Sequence, residues 1–164
     1  SHYKDVKKPI ELSFSHAAVV VQTFSNDEDA IKSMIKTGHY NKDCSKEDRE
    51  LIFERLNKVR VWLEKYAPEE VKFKVQDNVP KDIQLSNKEK EAIHKAAKLM
   101  KEREYDAKNL AQEFYDICKQ IELNQGEFFK ACYKVLLNKE KGPRLAPFVL
   151  TLGKDRVIKL FESV

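Results

Sequence analysis

Along most of the chain, apolar positions recur at steps of three and four residues, the spacing of one helix face, and the segments that carry this spacing begin at capping residues. Ser25-Asn26-Asp27-Glu28 predicts the start of a helix that runs to Thr37 and stops at Gly38, a residue free to take the left-handed conformation. Ser45-Lys46-Glu47-Asp48 predicts the longest helix, with Ile52, Leu56, Val59, Leu63 and Tyr66 on one stripe and Pro68 blocking its continuation. Ser86-Asn87-Lys88-Glu89 opens a third, with Ile93, Ala97 and Met100 in line. Asp106 or its neighbour opens a fourth, carrying Leu110, Phe114, Ile117 and Ile121. A fifth is predicted from about Gln125 to Leu137. The chain then turns through Asn138-Lys139-Glu140-Lys141-Gly142-Pro143-Arg144, forms a short helix to Leu152, breaks at Gly153 and ends in a helix from about Lys154 to Glu162.

Between Pro68 and Leu85 the helical period fails, and Val71, Phe73 and Val75 alternate with Lys72 and Lys74 ahead of Pro80. An extended connector is expected there, packing its apolar side on a neighbouring element. The chain of 164 residues is then expected to be an all-α helical bundle of two packed helical subdomains, residues 1–85 with the connector and residues 86–164. Only 4 Gly and 5 Pro, with 35% charged residues, leave little material for the tight turns that sandwiches and barrels need.

The net charge of +4 changes the picture once it is divided by position. Residues 1–118 are balanced, with 22 basic and 22 acidic side chains, whereas residues 119–164 hold 9 and 5. The excess positive charge therefore sits in the C-terminal part, which points to an anionic partner or to a solvated face. The three cysteines, Cys44, Cys118 and Cys132, form no CxxC pair and match no zinc spacing, so neither a disulfide framework nor a metal site is expected. His2, His16, His39 and His94 are scattered, and no pair has the i, i+4 spacing of a helical metal site. Gly38, Gly126, Gly142 and Gly153 are isolated, so no Gly-rich loop is available to cradle phosphates. Acidic pairs such as Glu69-Glu70 read as solvated helix faces, and no catalytic residue is assigned. The apolar run Ala17–Val21 falls far short of the roughly 20 residues that cross a bilayer, so no membrane partner is expected. Without an initiator Met, the chain reads as a processed piece, its Ser1-His2 compatible with a tag remnant.

What chemistry remains lies in the segment Lys139 to Arg156, where Lys139, Lys141, Arg144, Lys154 and Arg156 flank two Gly-bearing breaks. Such turns leave backbone N–H groups free and present cations from helix ends, an arrangement suited to phosphates or splayed bases. The same residues also suit a plain helix–helix corner. A second candidate is the outer side of the long helix, where Trp62 follows Arg55 and Lys58 and precedes Lys65. An aromatic ring between cations can stack on a base, and a lone Trp can equally pack between subdomains.

At these residues the sequence resembles a known family. Phe128-Phe129, Tyr133-Lys134-Val135-Leu136-Leu137, Gly142-Pro143-Arg144-Leu145 and Leu152-Gly153-Lys154-Asp155-Arg156-Val157, in that order, resemble the C-terminal end of class I lysyl-tRNA synthetases. Upstream, Thr37-Gly38-His39 and Trp62-Leu63-Glu64-Lys65-Tyr66-Ala67-Pro68-Glu69-Glu70-Val71-Lys72-Phe73 are similar to the lysyl rather than the glutamyl members. The likeness runs from about residue 9 to 162 and implies a helical anticodon-binding domain, an α-helix cage, of a cytoplasmic enzyme that joins lysine to its tRNA with ATP. The implied partners are tRNA(Lys), through its anticodon loop, and the catalytic domain of the same polypeptide, with no DNA. The family's His-Ile-Gly-His and Lys-Met-Ser-Lys-Ser type motifs do not occur, since Ser15-His16-Ala17-Ala18 and Lys32-Ser33-Met34 are only echoes. The chain alone is therefore expected to hold no cofactor and to be non-catalytic. In this reading Arg144 meets a base edge, Lys139 and Lys141 meet phosphates, and Lys154 and Arg156 stand beside them or hold the final helix. A glutamyl-type anticodon domain and a helical protein-interaction module without RNA binding are the alternatives.

Overall fold

Ser45 shows how this chain starts a helix. Its side chain accepts from the Asp48 amide at 3.2 Å while the Asp48 carboxylate accepts from the Ser45 amide at 3.2 Å, so two otherwise orphaned donors are satisfied reciprocally. Ser86 and Glu89 repeat the arrangement. The structure is a computed structural model and describes residues 12–40, 43 and 45–164; Ser1-His2 and Cys44 lie outside the described residues. Among the described residues there are eight α-helices and no strand, so the fold is all-α as expected.

The chain divides into two compact units, Ser1–Pro68 and Glu69–Val164. The first holds α1 (Phe14–Thr23), α2 (Asp27–Lys36) and α3 (Lys46–Lys65). Ile52, Leu56, Val59 and Leu63 of α3 are buried against Ala17, Val20 and Val21 of α1 and Ala30, Ile31 and Met34 of α2. Arg60 of α3 pairs with Asp27 at the start of α2. Two expectations are corrected here. The cap of α2 is Asn26, not Ser25, because the Asn26 carboxamide accepts from the Asp29 amide at 2.9 Å. Tyr66 does not extend the α3 stripe; it caps the helix and is 75% exposed.

The second unit begins with a short 3-10 turn, Glu69–Val71, followed by the extended connector, and then α4 (Asn87–Glu102), α5 (Ala107–Gln120), α6 (Gln125–Leu137), α7 (Leu145–Leu152) and α8 (Lys154–Glu162). Helix α4 packs on α5, α6 and α8, and α7 on α5 and α8. The core is aromatic, with Phe114, Phe128, Phe148 and Phe161 fully buried and Phe114 edge-on to Phe128 at 5.5 Å. The connector falls with this unit, not with residues 1–85 as expected. The Gln76 amide donates to the Leu136 carbonyl at 2.8 Å, and Phe73 meets Phe148 edge-on at 5.4 Å. Its inward alternation begins at Phe73, since Val71 lies exposed in the 3-10 turn while Val75 is buried.

Candidate nucleic-acid interface

Helix α6 ends at Leu137, and Asn138 takes the left-handed conformation with φ 54° and ψ 38°. Asn tolerates that region better than most residues, so the chain reverses there without a glycine. Gly142 then passes directly over the last turn of α6. A Cβ at this position would lie 2.8 Å from Tyr133 Cδ1 and 2.8 Å from Leu137 Cδ1, closer than carbon atoms approach. The Tyr133 hydroxyl donates to the Pro143 carbonyl, so one aromatic residue supports the turn with its ring and ties it with its oxygen. Burial, and then the neighbouring Cys132, push the Tyr133 phenol up to about 12, which keeps its proton on the oxygen as donor at neutral pH.

Beyond this clamp Arg144 occupies the N-cap position of α7 with φ −51° and ψ 126°, and its side chain makes no capping bond. Lys141 and Arg144 are both exposed and pair with no described residue. Lys139 is placed differently. Its ammonium donates to the carbonyls of Glu69, at 3.2 Å, and Lys72, closing the 3-10 turn onto the end of α6. Two of its three N–H bonds are therefore engaged within the protein.

Lys154 and Arg156 are not brought to this turn. They stand at the far end of α7, whose eight residues separate Arg144 from Gly153 by roughly 14 Å along the axis. Lys154 pairs with Glu104 in the α4–α5 loop, and half-buried Arg156 also has a partner. Lys154 is the first residue of α8, so this ion pair ties the start of the final helix to the α4–α5 loop. Gly153 joins α7 to α8 at φ 94° and ψ 137°, a conformation side chains rarely adopt.

Trp62 belongs to the first unit. It is half-buried against that unit's core and meets Phe14 edge-on at 4.8 Å, so packing occupies much of the ring. Its cationic neighbours are partly engaged as well: Arg55 donates to the Leu12 carbonyl at 3.2 Å and Lys58 pairs with Glu54 at 3.3 Å. The described residues include no group of three or more His, Cys, Asp or Glu able to hold a metal ion, and no helix long and apolar enough to cross a membrane.

The extended connector is predicted by the sequence, but its place beside this turn is not. Lys134 of α6 reaches the Gln84 carbonyl at 3.5 Å, and with the Lys139 tie this lays residues 69–84 beside the clamped turn. Between them opens a shallow cleft of about 270 Å³, bordered by Asp82, Ile83 and Gln84 on one side and by Lys134, Asn138, Lys139 and Glu140 on the other, so that two lysines and two carboxylates line it. Pro80 and the loss of period mark these residues only as non-helical, and nothing in their own spacing says which element they meet.

No family model matches the chain. Curated proteins do. It is 36% identical over 159 residues to a lysine–tRNA ligase of Pyrococcus horikoshii, a match spanning 93% of this chain and 30% of that protein. It is 31% identical over 164 residues to the enzyme of Picrophilus torridus, spanning 100% of this chain and 31% of the relative. With the lysine–tRNA ligase of Borreliella burgdorferi it shares 29% over 157 residues. The chain is thus similar, over nearly all of its length, to a part of lysine–tRNA ligases that makes up about 30% of theirs.

Proposed function

We propose that the chain is the anticodon-binding portion of a cytoplasmic lysine–tRNA ligase, and that it recognises tRNA(Lys) for aminoacylation carried out with ATP by a catalytic domain elsewhere in the same polypeptide. The observation that carries this reading is the clamped Gly142-Pro143-Arg144 turn, which displays Lys141 and Arg144 where the chain's positive charge is in excess. The similarity to part of lysine–tRNA ligases supports it. Lys141 contacts backbone phosphate and Arg144 the edge of an unstacked anticodon base, since a guanidinium offers paired donors where an ammonium acts as a point charge. Lys139 acts chiefly by holding the connector, and Lys154 and Arg156 by fixing α8. Trp62 carries no base in this reading. Binding energy at the anticodon end is used to orient the distant acceptor end for reaction.

The test is tRNA binding by the 164-residue chain across a salt series, with lysine tRNA beside a non-cognate tRNA. Tighter binding of the lysine tRNA, weakening with salt by about 0.7 to 0.9 in log–log slope per phosphate contact, is the expected result. Equal and salt-insensitive binding of both, or none, would remove the reading.

A further inference from the structure

Large apolar side chains left in solvent are unevenly shared between the two units. Of the six that are exposed among the described residues, Phe14, Leu51, Val61 and Tyr66 belong to the first unit, although it is the smaller. Three of these join Trp62 on one surface. Leu51, Arg55, Lys58, Trp62 and Tyr66 follow one another at steps of four, three, four and four residues, which places them on one face of α3 and its cap, beside the buried stripe. The start of α1 lies against the same face, since Arg55 holds the Leu12 carbonyl and Phe14 meets Trp62 edge-on. Phe14 and Leu51 are 52% and 56% exposed, so this face presents apolar area that the unit's own core does not cover. Single scattered residues of this kind need no explanation, whereas a set gathered on one face marks a contact surface.

RNA is a poor occupant of this face, because its cations are largely committed or balanced. Arg55 is turned to a carbonyl, Lys58 pairs with Glu54, and Glu47 extends the face one turn before Leu51, which leaves Lys65 as the one cation there without a described partner. A protein surface is better matched. The chain spans about 30% of the length of the lysine–tRNA ligases it matches, so the larger part of such a polypeptide lies outside it. Resting on the reading of the chain as a portion of such a ligase, we infer that the face carrying Phe14, Leu51, Trp62 and Tyr66 seats an apolar surface of that remaining part of the same polypeptide. A three-helix unit holds only a small core, and covering one more face adds burial that larger domains obtain within themselves. Contacts between domains of one chain are more polar than permanent interfaces, and Lys58, Glu54 and Lys65 give this face its polar rim.

Hydroxyl-radical labelling read by mass spectrometry, without RNA, compares the 164-residue chain with the complete polypeptide that contains it. Phe14, Leu51, Trp62 and Tyr66 should label readily in the chain and several-fold less in the complete polypeptide, with exposed Tyr115 of the second unit as the reference that does not fall with them. Leu51→Glu, at an exposed position of α3, should return Phe14 and Trp62 in the complete polypeptide to the labelling of the isolated chain, with the helix content of the chain unchanged. Tyr66→Glu, at the cap, should do the same. Equal labelling in the two proteins, or an equal fall at Tyr115, overturns the inference. So does protection already present in the isolated chain: growing with concentration it assigns the face to a second copy, and independent of concentration to the second unit. Protection that appears only on adding lysine tRNA makes the face an RNA contact instead. The proposed function is judged separately, by whether the complete polypeptide charges tRNA with lysine. If it does and the face stays open, this inference alone is wrong; if it does not, the functional reading fails whatever the labelling shows.

Discussion

Arg144 and Lys141 are neighbours on one turn, and different roles should separate them. Arg144→Ala is expected to lower affinity for lysine tRNA by about 1–3 kcal/mol and to narrow the gap to a tRNA with altered anticodon bases. Lys141→Ala should weaken every tRNA alike and reduce the salt slope by about 0.7 to 0.9. Filter binding at three salt concentrations reads both, and a uniform loss with Arg144→Ala would make that residue a phosphate contact. The two special glycines differ just as clearly. Gly142→Ala must displace the Tyr133 ring and Leu137, whereas Gly153→Ala has open space and only an unfavourable φ of 94° to bear. Each should cost about 1–3 kcal/mol in denaturant unfolding, and only the first should disturb the turn that carries Arg144. That residues 138–144 form a charged Gly-bearing turn is legible in the sequence. That Lys139 faces carbonyls, and that Tyr133 lies under the turn, is not, because both depend on contacts across the fold that spacing cannot register.

Helix starts were the most readable feature of the chain, because the groups that satisfy the first amides lie within three residues of one another. Ser45, Ser86 and Asp106 all cap the helices predicted from them. Ser45→Ala and Ser86→Ala should each cost about 1 kcal/mol. Leu56→Ala in α3 and Phe114→Ala in α5, both emptying fully buried sites, should cost about 2–5 kcal/mol. Helix α1 carries no such signal. Its cap, Ser13, bonds the His16 amide at 3.1 Å, but position 16 is a histidine, so no reciprocal acid announces the start. That His16 stacks on His39 at 3.9 Å, and burial followed by the charge of His39 lowers its pKa to about 4. A histidine depressed from 6.5 takes up a proton more readily when unfolded, so the first unit's stability is complete above about pH 6.5 and declines as pH falls toward 4. Thermal unfolding between pH 7 and pH 4 should show this slope, and His16→Asn should flatten it; an unchanged slope in the variant would assign the acid sensitivity to other groups.

At the scale of the whole chain, the sequence contains neither nucleotide-handling motif of the resembling enzymes, and lysine-dependent exchange of pyrophosphate into ATP is expected to be absent. Exchange that persists through a control for contaminating synthetase would mean that the chain holds an active site built without those motifs. The all-α class and the order of the last five helices were legible because each is local in origin, while the side to which the connector belongs was not, since it depends on its meeting α6 and α7. The clamp on the turn has one more effect. Surface loops are ordinarily where proteases nick a chain first, because cleavage requires several residues to be drawn out into the enzyme's groove. Residues 138–144 offer trypsin Lys139, Lys141 and Arg144, yet their backbone is anchored on a tyrosine that belongs to the core helix α6. While α6 stays packed, that anchor opposes the opening of the turn. Cutting after Lys141 should therefore keep pace with unfolding of the whole second unit, which makes this exposed bond a sensor of events in the interior.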